Sequence, residues 1–315
     1  MDLVLDTNIY RNLVRSLSDD EVSALLFTIR QRCKENDIKL LFPINSAMEL
    51  ISHYDDERDI ERTECRKALR LLVNLSTTFT STNLNVDFIP GLNGILERYI
   101  DQNADTHSIV YATVITAAQK LVGNTRIEAG DNMEHDVRTI REQIEFEKTE
   151  IRDNYRNYLE LINDGQADWT YFHDKSKKAE REEFFAKLRN GTFSFLVAQS
   201  MFDRAHNLVG KAINKNQKYF DDLIVFMQEF APALLMNELL LQNIGHGTAA
   251  IEAVADKRWN TIIDISLIFG ALFNPSKRDT RLVTEERNIH EAYNICGMQE
   301  KIITLLSFKQ LMHLT

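Results

Sequence analysis

The sequence predicts an α/β fold: a parallel sheet core built from the two ends of the chain and flanked by helices, with a large all-helical insertion between them. Three observations carry this prediction. Short apolar runs bounded by polar residues occur at both ends, at Leu3-Val4-Leu5 and Ile38 to Phe42, then at Arg281 to Thr284 and Lys301 to Leu305. Runs of that length suit buried parallel strands. Helical spacing follows them, in the alternating order that a parallel sheet requires. Between about residues 60 and 250, in contrast, strand signals nearly vanish and proline is scarce.

Each element has its own signal. Ser18 and Glu21 have capping-box spacing, and Val22, Leu25, Leu26 and Ile29 recur at helical period after them. Pro43 closes the second strand, and Ser46-Ala47-Met48-Glu49 opens the next helix. Val137, Ile140, Ile144, Ile151, Tyr155, Tyr158 and Ile162 keep a three/four spacing through a charged stretch, which predicts one long amphipathic helix ending near Asn163-Asp164-Gly165. Further helices are expected around residues 66–75, 105–122, 176–189, 194–214 and 218–243, before Gly245-His246-Gly247 breaks the pattern. Thr261 to Phe273 is an apolar helix interrupted by Asp264, Ile289 to Cys296 is a short helix, and Ser307 starts the last one. The expected organisation is a core from residues 1–60 and 255–315, with 61–254 inserted.

Composition narrows the class. The 315 residues are 44% hydrophobic, enough to bury a full core. No apolar run approaches the roughly 20 residues of a membrane span, and the first residues lack a signal-peptide pattern. Cys33, Cys65 and Cys296 are odd in number and far apart, as expected of reduced thiols in a cytoplasmic protein. A formal charge of −10 argues against a protein that coats nucleic acid through a globally basic surface. It leaves room for an acidic catalytic site.

Four carboxylates fall at element ends where a doubly wound sheet places its ligands. Asp6 ends the first strand, Glu49 and Asp264 fall in the first turns of helices, and Glu286 follows the strand ending at Thr284, with Glu285 beside it as the alternative. Oxygen donors of this kind suit hard cations such as Mg²⁺ or Mn²⁺. Each acid also has a plainer reading. Glu49 completes a Ser46-x-x-Glu49 capping box, Asp6-Thr7-Asn8 suits a turn or cap, Asp264 suits a helix dipole, and Glu286 suits a solvated loop.

The order of these motifs resembles the PIN-domain nuclease family. That family begins with a hydrophobic strand and Asp-Thr-Asn, as in Val4-Leu5-Asp6-Thr7-Asn8-Ile9. A Glu early in the next helix follows, as in Pro43 to Leu50, then an Asp within an apolar helix, as in Ile262-Ile263-Asp264-Ile265. A strand ending in Thr-x-Asp comes last, where this chain has Thr284-Glu285-Glu286 and so departs by having Glu. The resemblance covers about residues 1–60 and 255–315. It implies a PIN-like core and a Mg²⁺- or Mn²⁺-dependent nuclease, most often acting on RNA. Asp6, Glu49, Asp264 and Glu286 would then be the metal-holding catalytic acids, supported by Asn8 and Thr284. A DNase or structure-specific nuclease in defence against foreign nucleic acid, and a non-catalytic partner-binding module, are the alternatives.

Other chemistries find less support. Asn8 stands where a haloacid-dehalogenase-type phosphotransferase needs a second Asp, and there is no Walker loop, Gly-x-Gly-x-x-Gly or HExxH. Lys175 to Lys218 is locally basic, with Tyr171, Phe172, Phe184, Phe185 and Phe193 interspersed. Lys177, Lys178 and Arg181 are the candidate substrate contacts there, against the plainer alternative of solvated faces over core aromatics. The same insertion offers a surface to a second copy or a regulatory partner.

Overall fold

All four residues of β1 (Asp2–Leu5) are buried, as expected of a strand covered on both faces. The computed structural model describes residues 1–54, 59–79, 84–123, 132–162, 174–245, 260–273 and 278–314. From β1 the chain enters α1 (Thr7–Val14) and α2 (Asp19–Glu35), then β2 (Lys39–Leu40) and β3 (Phe42–Pro43). Helices α3 (Ile44–Ser52) and α4 (Asp59–Ser76) precede β4 (Thr77–Phe79), β5 (Leu84–Val86) and β6 (Phe88–Ile89). Seven helices follow: α5 (Leu92–Ile100), α6 (Ser108–Gly123), α7 (Asn132–Ile162), α8 (Lys178–Arg189), α9 (Thr192–Leu208), α10 (Gln217–Glu229) and α11 (Ala231–Gly245). The end comprises α12 (Asn260–Leu272), β7 (Thr280–Val283), α13 (Arg287–Ile295), β8 (Ile302–Ile303) and α14 (Leu305–Leu311).

The central sheet has the order β2-β1-β7-β8, and every pair in it is parallel. The apolar run from Lys39 to Pro43 serves two partners. Leu41 donates its N–H to Leu3 on one side, while Phe42 donates to Asp87 on the other, beside the parallel β3–β6 pair. Alternate residues of a strand point their hydrogen bonds to opposite sides, so this run links β6 to the main sheet.

Alternation also builds two cores. Val4, Leu282 and Ile302 point to one face, where α5 and helices α8 to α13 pack. Leu3, Leu5 and Val283 point to the other, covered by α1 to α4, α6, α7 and α14. Segment 61–254 therefore completes both cores rather than standing apart. It is also not all-helical, as the sequence suggested. β4 and β5 form an antiparallel pair, and β6 reaches the sheet edge. These strands are two or three residues long, too short for period-two alternation to show.

Local signals explain most helix limits. The Ser18/Glu21 capping box forms as expected. The helix expected over 218–243 is broken at Phe230 and bends by 76°. Pro232 follows the break, in the first turn of α11, where a missing N–H is tolerated. Two helices escaped prediction, α1 and α5, of eight and nine residues. The expected helix end at Asn163-Asp164-Gly165 lies outside the described residues, as does His246-Gly247. Among the described residues, no single helix is long and apolar enough to cross a membrane.

One contact ties the late helix α12 to the early strand β6. A Cβ on Gly270 would lie 2.1 Å from Ile89 Cγ2, deep in the core. Gly270→Ala should thus destabilise the fold by about 1–3 kcal/mol through overpacking, despite the better helix propensity of Ala. A lowered urea midpoint with unchanged m-value is the expected result.

Candidate functional site

Pairing of Leu5 with Val283 brings the next residue of each strand, Asp6 and Thr284, to the same edge of the sheet. Asp6 is the N-cap of α1, and its Oδ1 accepts the Asn8 backbone N–H at 3.2 Å. Its Oδ2 accepts the Thr284 hydroxyl at 2.8 Å. Thr284 Oγ1 in turn accepts the Glu286 N–H at 3.1 Å, and the Asn8 side-chain amide donates to Glu286 Oε1 at 3.3 Å. One hydrogen-bonded network thus joins the first helix to the last parallel crossover. His290 adds a support that the sequence reading missed: its Nε2 meets the Thr284 carbonyl at 2.9 Å. Its position four residues after Glu286 on α13 was the available signal.

The two candidate acids after β7 part company. Glu286 is half-buried and joins the network, although it sits at the N-cap position of α13 without capping it. Glu285 is exposed and accepts the Leu305 N–H at 2.5 Å, at the start of α14. Glu49 is half-buried in the second turn of α3, not the first, because the helix begins at Ile44. Pro43 occupies the N-cap without a side-chain bond and Ser46 is buried, so the Ser46/Glu49 capping box does not form. Asp264 likewise lies a turn beyond Asn260, the first described residue of α12, and is half-buried beside the buried Ile265, Leu267 and Ile268. Among the described residues, nothing hydrogen-bonds its carboxyl.

The four acids act on one another. Burial is the main cause that lifts the Asp6 carboxyl from its ordinary 3.8 to about 7. The charges of Glu49 and Glu286 add to the rise, against the hydrogen bonds from Thr284 and Asn8, which lower it. Burial also pushes Asp264 well above the usual carboxylate range, helped by Asp6, Glu49 and Glu286 in that order. Residues from both ends of the chain therefore share one electrostatic neighbourhood at the strand ends. Among the described residues, however, no group of three or more His, Cys, Asp or Glu side chains is arranged to hold a metal ion.

The basic stretch has a different character. Phe184, Phe185 and Phe193 are buried core residues, so they offer no stacking platform; Tyr171 and Phe172 lie outside the described residues. Several cations meet carboxylates of their own surroundings: Lys187 with Glu183 at 3.2 Å, Arg204 with Glu150 at 3.0 Å, Lys215 with Asp203 at 3.1 Å and Lys218 with Asp222 at 2.9 Å. Arg181 donates to the Asp174 carbonyl, Lys177 is half-buried and Lys178 is exposed. Comparison of the chain with protein-family models, curated proteins and solved structures finds no match.

Raised carboxyl pKa values have a consequence for stability. Folded Asp6 keeps a proton up to about pH 7 that the unfolded chain releases near 3.8. The folded state then binds more protons between these values, so stability falls as pH rises through about 4 to 7. Asp6→Asn removes the titration and keeps a competent N-cap. In EDTA it should flatten this pH dependence and exceed the wild type at pH 8 by up to a few kcal/mol. Urea titrations at pH 5 and pH 8 measure both effects. A variant less stable than wild type at pH 8 would assign Asp6 to capping alone.

Proposed function

We propose that this chain is a Mg²⁺- or Mn²⁺-dependent nuclease with a PIN-like core, hydrolysing phosphodiester bonds in RNA in preference to DNA. One observation carries the reading: Asp6, Glu49, Asp264 and Glu286 come together, without a basic side chain among the causes that set the pKa values of Asp6 and Asp264. Such repulsion destabilises the fold, and a bound cation relieves it. All four acids come from residues 1–60 and 255–315, the segments with the PIN resemblance, while residues from 61–254 pack in the cores on both faces of the sheet.

An all-oxygen donor set fits a hard cation, and Mg²⁺ commonly takes one or two carboxylates and keeps several waters. The absence of a three-acid cage among the described residues is compatible with that mode. Asp6, Glu49, Asp264 and Glu286 would hold the ions. When bound, such ions activate water and offset charge developing on the phosphate oxygens. The chain's own contribution is orientation. Thr284 and the Asn8 backbone fix both oxygens of Asp6, and the Asn8 amide steadies Glu286. No side chain is assigned as general base.

The same missing cage favours a second reading, a non-catalytic partner-binding module that retains the acids. Incubation with single-stranded RNA and DNA in Mn²⁺, with and without EDTA, separates the two. The nuclease reading expects EDTA-sensitive cleavage, lost by roughly a hundredfold or more in Asp6→Asn and Asp264→Asn, and reduced about 10–100-fold in Thr284→Val. Full activity in Asp6→Asn, or no cleavage of either polymer by wild type, would overturn it.

A further inference from the structure

The structure also holds a concentration of positive charge whose partners leave that charge in place. A cavity of about 470 Å³ is lined by Arg66, Lys67 and Arg70 of α4, with Tyr54, Thr63 and Asp19. We infer that this cavity binds a phosphate of the nucleic-acid backbone, a few bonds along the strand from the acidic site; the inference rests on the nuclease reading for its substrate.

What holds these side chains distinguishes them from the basic stretch of α8 to α10. Arg66 Nε donates to the Tyr54 carbonyl at 3.1 Å, and its guanidinium lies 4.5 Å from the Tyr54 ring centroid. Lys67 Nζ donates to the Leu17 carbonyl, and Arg70 Nη2 to Ser23 Oγ at 2.9 Å. Carbonyls, hydroxyls and rings orient a cation but leave its net charge, whereas Lys187, Arg204, Lys215 and Lys218 meet carboxylates. Among the described residues, Asp19 lies 3.8 Å from Arg70 and is 77% exposed, a pair of little strength in water, and Glu21 acts on Lys67 through space. Glu64, on the same helix, turns toward Arg11 and Arg15 instead. Glu21 is engaged by Ser18. An arginine pair with a lysine, fixed around one cavity, suits a phosphate oxyanion.

Position links the pocket to the acids. α4 packs along α1, whose N-cap is Asp6, and Lys67 reaches Leu17 just beyond the end of α1. α1 has eight residues, about 12 Å at 1.5 Å per residue. Cys65, the neighbour of Arg66, has its thiol raised by burial first, with Arg11 and Glu49 also acting on it. Glu49 therefore lies near Cys65 on α4, the helix that carries the cations of the pocket. A strand crossing the acidic edge along α1 would meet the cations next.

The test uses fluorescence anisotropy of a short labelled single-stranded RNA in EDTA, titrated with KCl, so that binding is read without cleavage. Arg66→Gln/Lys67→Gln/Arg70→Gln should weaken binding roughly tenfold or more at low salt and lower the log–log salt slope by about 2. Because Arg66 and Lys67 also hold backbone carbonyls, Arg70→Gln alone provides a milder variant, expected to lower the slope by about 0.7. A charge-preserving Arg66→Lys/Arg70→Lys variant should restore most of the slope. If the charge of the cavity is already neutralised within the protein, variant and wild type bind alike and the inference fails. It fails equally if only Lys177→Gln/Lys178→Gln/Arg181→Gln reduces the slope. Loss of cleavage dependence on Asp6 would overturn the nuclease reading while leaving a pocket-dependent salt slope standing; the two ideas therefore fail separately.

Discussion

Parallel pairing of β1 with β7 is the interaction on which the rest of the structure depends. It joins residues 278 apart, from Asp2↔Thr280 to Leu5↔Val283. Closing so long a loop costs about 5 kcal/mol in chain entropy beyond a constant. Four ladder pairs do not supply that alone. Burial on both faces does, because Val4 and Leu282 enter one core while Leu3, Leu5 and Val283 enter the other. The helices between the two strands are therefore part of the closure. Remove their apolar faces and the central strands would lose the cover that keeps the ends of the chain together.

The same pairing creates the electrostatic problem at its carboxyl edge. Asp6 cannot leave, since it caps α1 and receives the Thr284 hydroxyl. Those hydrogen bonds favour its charged form, yet burial and the nearby Glu49 and Glu286 outweigh them. Asp264 has burial and like charges with no compensating bond among the described residues. A fold selected for stability alone would place neutral residues here. Functional sites are where such unfavourable charge is retained. Asp264 is the clearest case, because its helix position has no cap or dipole to explain it.

Much of the sheet was legible in the sequence, and for a stated reason. Leu3-Val4-Leu5, Leu40-Leu41-Phe42 and Leu282-Val283 are buried, so they appear as unbroken apolar runs. Their order implied parallel neighbours, and the pairings of β1 with β2 and β7 agree. The two residues of β6 carried no readable period, and the link made by Leu41 and Phe42 depends on backbone direction, which composition does not encode. α1 escaped because Asp6-Thr7-Asn8 was weighed as strand end, turn or metal ligand, although Ile9, Tyr10, Leu13 and Val14 have helical spacing. At the site, order along the chain suggested the four acids. It could not separate Glu285 from Glu286, since neighbours in a turn differ only in where the backbone points them. Distance along the chain also hid Asn8 donating to Glu286, 278 residues away.

Net charge misleads in both directions here. A value of −10 describes the chain, while a substrate phosphate responds to the field within about a Debye length, near 10 Å in moderate salt. The conspicuous basic run from Lys175 to Lys218 is dispersed over helices where several of its members meet local carboxylates. Arg66, Lys67 and Arg70 form a shorter motif in an acidic chain, yet they share one cavity, held by two carbonyls and a hydroxyl, with the exposed Asp19 3.8 Å from Arg70. For an anionic polymer the second arrangement presents the stronger local potential, because charge that is already paired must first be separated. On the proposed nuclease reading, positive charge close to the acidic edge would give a phosphodiester one region to anchor its backbone and another to receive the bond to be broken. Which residues face an uncompensated cavity, rather than how many are basic, decides where such a strand can lie.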